Sequence, residues 1–179
     1  MQTATPVVHV RLDARAFRRF ALFDAFRLKR RFVSPAIFCA VLMGFSFLCM
    51  ASGKEQAGLI GTILQVVGLG LPVCYVLSFL VQLHDQCKRL GLKAPRPVYT
   101  LHLGESSLRV INDMKHEPEV VLPYADLFGV WRVSGAFYLY AAPARAFILP
   151  DGQCALSPAE LYDLLKARLP EGALHGRRP

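Results

Sequence analysis

Two long uncharged stretches decide the fold of this chain: FVSPAIFCAVLMGFSFLCMASG, residues 32–53, and QAGLIGTILQVVGLGLPVCYVLSFLVQL, residues 56–83. The first has 22 residues, and a helix of that length reaches about 33 Å, enough to cross a hydrocarbon core of about 30 Å. The second has 28 residues, so we expect it to tilt, kink or extend into the headgroup region. The sequence therefore predicts transmembrane helices over residues 32–53 and 56–83.

The connection between these helices is too short for a folded domain. Only residues 52–56 form it, which predicts a tight helical hairpin. Eight Lys and Arg residues precede the first helix, four follow the second within residues 84–96, and Lys54 is the one basic residue of the loop. Because basic flanks resist translocation, both termini are predicted to lie on the cytoplasmic side.

The first stretch could instead be a signal peptide, cleaved near residues 49–51. A basic leader of 31 residues and an apolar run of about 20 both exceed the usual dimensions of such peptides. The sequence therefore favours a multi-pass membrane protein over a secreted one.

Positive charge is concentrated at the predicted membrane border. The chain has 179 residues, of which 54% are hydrophobic, with 21 Lys and Arg against 13 Asp and Glu. Residues 1–97 hold 13 bases and 4 acids, whereas residues 98–170 hold 6 bases and 8 acids. We therefore expect the lipid bilayer and anionic lipid headgroups as partners and no nucleic acid. The composition also excludes a disordered or collagenous chain.

Residues 1–31 are predicted to form a basic arm with a short strand and an interfacial helix. Val8, Val10 and Leu12 alternate with polar residues, which is typical of a half-buried strand. Asp13 can cap the helix that follows, whose arginines would face anionic lipid, although the helix could instead pack on the cytoplasmic domain. The candidate lipid contacts of the chain are Arg18, Arg19, Lys29, Arg30, Arg31, Lys88 and Arg89.

Neither predicted membrane helix carries an Asp, Glu, Lys, Arg or His residue, which argues against a proton relay or a transport pathway. Gln65 is the one strong hydrogen-bonding group near the middle, and we interpret it as a contact across the hairpin or between copies rather than as a pore contact. Small residues recur every four positions, which permits close approach of helices. The candidate helix-packing residues are Ala36, Ala40, Gly44, Gly58, Thr62 and Gln65.

Residues 98–170 are predicted to form a small cytoplasmic domain of about six short antiparallel strands. The sequence Ser157-Pro158-Ala159-Glu160 is a capping box, and leucines at helical spacing follow it up to Pro170. The predicted fold class is a membrane α+β protein, a transmembrane helical hairpin plus a small antiparallel sheet or barrel closed by a C-terminal helix. Residues 171–179 are predicted to be a flexible tail.

The sequence contains no recognisable catalytic motif. His84, Asp85 and Cys87 combine an imidazole, a carboxylate and a thiol, yet an ordinary helix end explains them more simply. The five cysteines have neither CxxC nor zinc-site spacing. No catalytic, cofactor-binding or metal-binding residue is therefore predicted, and no cofactor is expected.

The order of features resembles the bacterial YcxB-like proteins. After the helical hairpin come Tyr124-Ala125-Asp126-Leu127, then Phe137-Tyr138-Leu139-Tyr140, then Phe147-Ile148-Leu149-Pro150, then the terminal helix. The family usually continues after the third segment with a basic residue and an aromatic, where this chain has Asp151-Gly152-Gln153-Cys154. The resemblance implies a membrane-anchored domain similar to a pleckstrin-homology (PH) fold, located at the bacterial inner membrane, with no assigned chemistry.

We expect a non-enzymatic function, an interaction module that serves as a scaffold or regulator for a protein partner. The candidate partner surface consists of Tyr124, Asp126, Trp131, Tyr138 and Tyr140. Two alternatives stay open at this point, a small oligomeric channel or transport accessory protein and a membrane enzyme of unknown class. The chain could also form a homo-oligomer.

Overall fold

The computed structural model describes residues 6–28, 32–112, 119–133 and 135–179. Within these ranges the chain forms two compact units. The hairpin unit comprises residues 21–90, and the sheet unit combines the residues up to Phe20 with those from Gly91 onward. The predicted lipid contacts Lys29, Arg30 and Arg31 lie outside the described residues.

The hairpin unit contains two long apolar helices, α2 (Val33–Ala51) and α3 (Glu55–Arg89). Both are long and apolar enough to cross a membrane, judged by length and composition. Helix α3 has 35 residues and is therefore about 52 Å long, more than a hydrocarbon core requires. It continues past the predicted end at residue 83. Gln86, Lys88 and Arg89 favour a helix, and Lys88 and Arg89 also complement the helix dipole in its last turn.

The two helices approach each other at Ser46, Gly61 and Gly68. The Ser46 hydroxyl is buried and donates a hydrogen bond of 2.7 Å to the Gly61 carbonyl oxygen. A Cβ atom at Gly61 would lie 2.8 Å from Cγ of Met50, and one at Gly68 would lie 3.4 Å from Cβ of Leu42. Only glycine at position 61 therefore allows this helix separation.

The predicted packing stripe faces away from this contact. Ala36, Ala40 and Gly44 are exposed, and a Cβ atom at Gly44 or Gly58 would meet nothing within 4 Å. Within the hairpin, the Ser46 hydrogen bond and the close approach at Gly61 select a different face. The role of the stripe in helix packing, including packing between copies of the chain, stays a prediction. Thr62 is also exposed and bonds to its own helix. Gln65 is half-buried, and its spacing from Gly61 and Gly68 places it on the contact face.

The first sheet of the sheet unit has the order β1-β2-β3-β4 and is antiparallel. Its strands are β1 (Val7–Leu12), β2 (Arg96–Leu103), β3 (Ser107–Asn112) and β4 (Val120–Pro123). The predicted alternation in β1 is confirmed, since Val8, Val10 and Leu12 are buried. Strand β1 pairs with β2. In the chain, the residues of the hairpin unit therefore come between two strands that are neighbours in one sheet.

The second sheet has the order β7-β6-β5-β8. Its strands are β5 (Gly129–Val133), β6 (Ala136–Ala142), β7 (Arg145–Pro150) and β8 (Leu174–His175), and β8 runs parallel to β5. The two sheets are not closed into a barrel. Side chains join them instead: Gln153, just after β7, donates to the Arg11 carbonyl at 2.7 Å and accepts from the Arg11 amide at 2.8 Å.

Helix α4 (Pro158–Arg168) follows the second sheet, as predicted. Its capping box is confirmed: the Ser157 hydroxyl accepts from the Glu160 amide at 3.2 Å, and the Glu160 carboxylate accepts from the Ser157 amide at 2.8 Å. These bonds hold the pKa of Glu160 below its ordinary value. Leu161 and Leu165 are buried, so the apolar side of α4 contributes to the core.

Part of the C-terminal segment, for which the sequence predicts a flexible tail, pairs with β5 as a short strand. Residues 171–179, called the tail below, turn back along β5 and contribute strand β8. Sequence patterns do not reveal a strand of two residues, because no periodicity can be read from so short a segment.

Candidate interaction surface

Helix α1 (Ala14–Phe23) carries the exposed arginines of the amino-terminal arm. Asp13 caps it as predicted, since its carboxylate accepts from the Ala16 amide at 2.7 Å. A π-helical turn, Asp24–Leu28, continues the chain toward α2. The Phe20 ring packs edge-on against Tyr138, with 5.2 Å between ring centroids. Helix α1 therefore packs on the sheet, which is the alternative to a purely interfacial helix.

The packed helix still presents cations to solvent. Arg18 and Arg19 are exposed on α1, and Lys88 and Arg89 are exposed at the end of α3. Burial raises the pKa of the Tyr138 hydroxyl, and the positive charge of Arg19 partly offsets this rise. These four predicted lipid contacts are accessible, and their role as lipid contacts stays a prediction.

Trp131 on β5 lies at the centre of an aromatic cluster at the edge of the second sheet. Its ring stacks on His175 with 4.7 Å between centroids and on Phe128 with 6.0 Å, and Tyr140 meets it edge-on at 4.9 Å. A Cβ atom at Gly129 would lie 2.7 Å from the Trp131 ring, so glycine there allows the ring to fold back over its own strand. Phe128 is 52% exposed.

We call Phe128, Trp131 and His175 the aromatic edge. All three side chains retain accessible surface. Aromatic rings with a polar or charged neighbour are enriched at protein interfaces, where they bury a large area at low conformational cost. The aromatic edge can therefore contribute to a protein contact.

Three residues of the predicted partner surface are not on the surface. Tyr124, Tyr138 and Tyr140 are each at most 2% exposed. This part of the prediction needs correction, because helix α1 covers the rings of β6 through Phe20. Asp126 is exposed and Trp131 is partly exposed, so these two can still serve a partner.

Tyr124 is buried in the turn that joins the two sheets, a 3-10 turn over Tyr124–Asp126. Burial raises the pKa of its hydroxyl, and the nearby Arg168 guanidinium partly offsets this rise. Arg168 itself donates to the carbonyl oxygens of Leu103 and Gly104, at 3.0 and 2.7 Å. These contacts fasten the end of α4 to the first sheet and are structural.

Phe128, His175 and the position of the tail are not among the predicted site features. Phe128 stands between the predicted partner residues, and its aromatic side chain at that place in the sequence is the signal that groups it with them. His175 gives no such signal in the sequence. It lies next to Trp131 only because β8 pairs with β5, and the two residues are 44 positions apart in the chain. No local pattern carries that information.

A partly buried ion pair supports β5 next to the aromatic edge. The Arg132 guanidinium lies 2.7 Å from the Asp151 carboxylate and 4.6 Å from the centre of the Phe137 ring. It also donates to the carbonyl oxygens of Val133 and Ala136, at 2.6 and 2.9 Å. Arg132 therefore has a fixed side chain, which also holds its backbone in place.

The residues considered for catalysis differ in accessibility. Cys87 is buried, whereas His84 and Asp85 are exposed. Among the described residues, no group of three or more His, Cys, Asp or Glu side chains is arranged to hold a metal ion. The enzyme alternative therefore gains no support from a metal site in these ranges.

Comparisons with known protein families, with curated proteins and with solved structures find no match to this chain. Functional inference therefore depends on the fold and on the surfaces described above.

Proposed function

We propose that this chain is a membrane-anchored interaction module. The hairpin unit crosses the bacterial inner membrane twice, and the sheet unit lies on the cytoplasmic face. There it binds a protein partner and acts as a scaffold or regulator, without catalysis. The two sheets, in which β1 to β7 pair antiparallel, and helix α4 after β7 support a PH-like domain of the YcxB-like kind as part of this proposal.

The observation that carries the proposal is the pairing of β1 with β2. Strand β1 precedes the two apolar helices and β2 follows them, yet their residues are direct neighbours in one sheet. A strand pair cannot be divided by a bilayer, which supports placing both ends of the hairpin on the same side. It also supports two crossings, one by α2 and one by α3.

Charge supports the cytoplasmic side for the sheet unit. Both ends of the hairpin are flanked by accessible cations, Arg18 and Arg19 before it and Lys88 and Arg89 after it. The turn between the helices contains a single basic residue, Lys54. This asymmetry is the one that retains loops in the cytoplasm, where anionic lipid attracts them.

The aromatic edge supports a protein as the partner. Phe128 is exposed and stacks on the partly exposed Trp131, and the exposed carboxylate of Asp126 precedes them. Aromatic residues near the centre of an interface commonly contribute most of its binding energy. We therefore assign partner binding to the surface around Phe128 and Trp131.

A crosslinked pulldown of the full-length protein in native-membrane nanodiscs tests the proposal. Wild-type protein should retain a stoichiometric protein partner, and Phe128→Ala should lose it. Val121→Ala is the matched control, because Val121 is exposed to the same extent, 52%, on β4. Unchanged recovery with Phe128→Ala contradicts the assigned surface, and recovery of self-contacts alone favours the oligomeric alternative.

A further inference from the structure

The tail occupies the edge of β5 that would otherwise be open. Strand β5 has β6 on one side and β8 on the other. Val130 pairs with Leu174 and Trp131 with His175, and the Val130 amide donates to the Ala173 carbonyl at 2.8 Å. Without the tail, β5 would expose a row of backbone donors and acceptors beside an aromatic ring, which is a template for strand addition.

The position of the tail is selective for its sequence. A Cβ atom at Gly176 would lie 2.5 Å from the carbonyl oxygen of Arg132, so only glycine fits at that point. The backbone of Arg132 cannot easily give way, because Arg132 is paired with Phe137 in the ladder between β5 and β6. The edge therefore discriminates between extended segments and does not accept every strand.

Two further contacts define the chemistry of the bound segment. The His175 ring stacks on Trp131, and Arg178 forms an ion pair with Asp163 of α4. A cavity of about 440 Å³ lies under the tail next to α4, lined by Tyr162, Lys166, Leu169, Pro170, Glu171, Gly172 and Leu174. Three residues of the tail thus contact three different features: the His175 ring contacts Trp131, Gly176 lies against the Arg132 carbonyl, and the Arg178 cation pairs with Asp163.

The tail is attached in a way that allows it to leave. Its ladder with β5 covers only two residue pairs, and its ion pair joins side chains that are 62% and 50% exposed, where such pairs contribute little. Gly172, at a φ of +82°, turns the chain just after α4. With Gly172 as the pivot, the segment can swing out about this turn while strands β1 to β7 keep their pairing.

We propose that the edge of β5 is an acceptor site for an extended segment of the protein partner, and that the tail is its intramolecular occupant. The partner segment runs parallel to β5, with a ring over Trp131, a glycine against the Arg132 carbonyl and a cation toward Asp163. This inference deepens the proposed function and rests on it, since the occupant is a protein. An attached tail has an effective concentration of about 1 mM or more, so it blocks weaker segments and sets a threshold for the partner.

The test uses a peptide of residues 171–179, EGALHGRRP, as the probe. Trp131 is the single tryptophan of the chain and lies directly against the tail, so its fluorescence reports occupancy of the edge. The full-length protein in nanodiscs is titrated with the peptide. Wild-type protein should show no saturable change at peptide concentrations well below 1 mM, since its own tail competes.

Gly176→Ala should release the tail and open the edge to the peptide. Gly172→Ala is the matched control: both glycines have positive φ, +107° and +82°, and so impose similar backbone strain on alanine, but a Cβ atom at Gly172 meets nothing within 4 Å. We expect saturable binding with Gly176→Ala and wild-type behaviour with Gly172→Ala. A peptide with alanine in place of Gly176 should bind at least about tenfold more weakly than EGALHGRRP.

A second variant ends at Pro170 and removes the tail altogether. It should fold, judged by far-ultraviolet circular dichroism, and bind the peptide as Gly176→Ala does. The inference is overturned if folded Gly176→Ala and the truncated chain both fail to bind the peptide, or if neither folds, because the tail is then a permanent strand. A failed titration with an intact Phe128-dependent pulldown overturns this inference alone and leaves the proposed function standing.

Discussion

The hydroxyl of Tyr99 on β2 bonds both main-chain groups of Ile148 on β7. It accepts from the Ile148 amide at 2.5 Å and donates to the Ile148 carbonyl at 2.7 Å, with Tyr99 fully within the core. Strand β7 is the edge of the second sheet and has no ladder with the first sheet. One side chain thus satisfies backbone groups that a closed barrel would pair strand to strand.

Tyr99→Phe should destabilise the sheet unit by about 2–3 kcal/mol, because it leaves a buried amide and a buried carbonyl without partners. The free energy of unfolding, measured by denaturant titration of the full chain in detergent micelles, checks this. Tyr162→Phe is the control, since the Tyr162 hydroxyl makes one exposed bond of 3.3 Å. A loss with Tyr99→Phe no larger than with Tyr162→Phe would show that the link is not important for stability.

The same hydroxyl makes stability depend on alkaline pH. Burial raises the pKa of Tyr99 far above its ordinary value of 10.0. The folded state therefore keeps the proton that the unfolded state releases, so this stabilisation is fully present below pH 10 and declines as the pH rises above it. Unfolding titrations between about pH 9 and 12 should show this decline.

In Tyr99→Phe the alkaline decline should become shallower without vanishing. Burial also raises the pKa of Tyr124 and of Tyr138, and these groups contribute in the same direction. An identical slope in the wild type and the variant would refute the role of Tyr99 in the alkaline response.

Local patterns in the sequence predicted most elements of the fold. The uncharged runs correspond to α2 and α3, the alternation at Val8, Val10 and Leu12 corresponds to β1, and the capping box at Ser157 begins α4. Each of these signals depends on periodicity or capping within a few residues. Elements of this kind are specified where they stand in the chain.

Pairings over long distances were not predictable in the same way. The sequence shows that β1 is a strand, but its neighbour β2 begins at Arg96, beyond the whole hairpin. The sequence predicts the aromatic residues of β6 as surface residues, because nothing local shows that Phe20, far away in the chain, covers Tyr138. The position of the tail on β5 depends on the fold in the same manner.

Gly61→Val should disrupt the hairpin contact, whereas Gly58→Val should not. A Cβ atom at Gly61 would lie 3.0 Å from the Ser46 carbonyl oxygen and 3.4 Å from Cβ of Cys49, but one at Gly58 meets nothing within 4 Å. Overpacking of this kind costs about 1–3 kcal/mol. Both variants carry the same β-branched residue on α3, so helix propensity does not distinguish them.

Labelling of Cys49 reports the separation of α2 and α3. Its thiol is half-buried next to Gly61, so Gly61→Val should increase its reaction with a membrane-permeant maleimide, quantified by mass spectrometry. Equal labelling of Cys49 in the two variants would mean that Gly61 does not set the helix separation.

Asp151→Ala should destabilise the second sheet by about 2–3 kcal/mol, because it leaves the guanidinium of Arg132 without its counter-charge. The Arg132 side chain is only 9% exposed, so water cannot replace the carboxylate. Glu119→Ala is the control: its ion pair with Arg109 joins side chains that are 38% and 56% exposed, and its loss should cost at most about 0.5 kcal/mol.

The Asp151 variant also tests whether Arg132 positions the tail. If the fixed guanidinium holds the Arg132 backbone against Gly176, Asp151→Ala should change Trp131 fluorescence at low denaturant, before the sheets unfold. Glu119→Ala should leave the fluorescence unchanged. A single coincident transition for Trp131 fluorescence and circular dichroism in Asp151→Ala would show that the ion pair stabilises the sheet as a whole and does not act on the edge of β5.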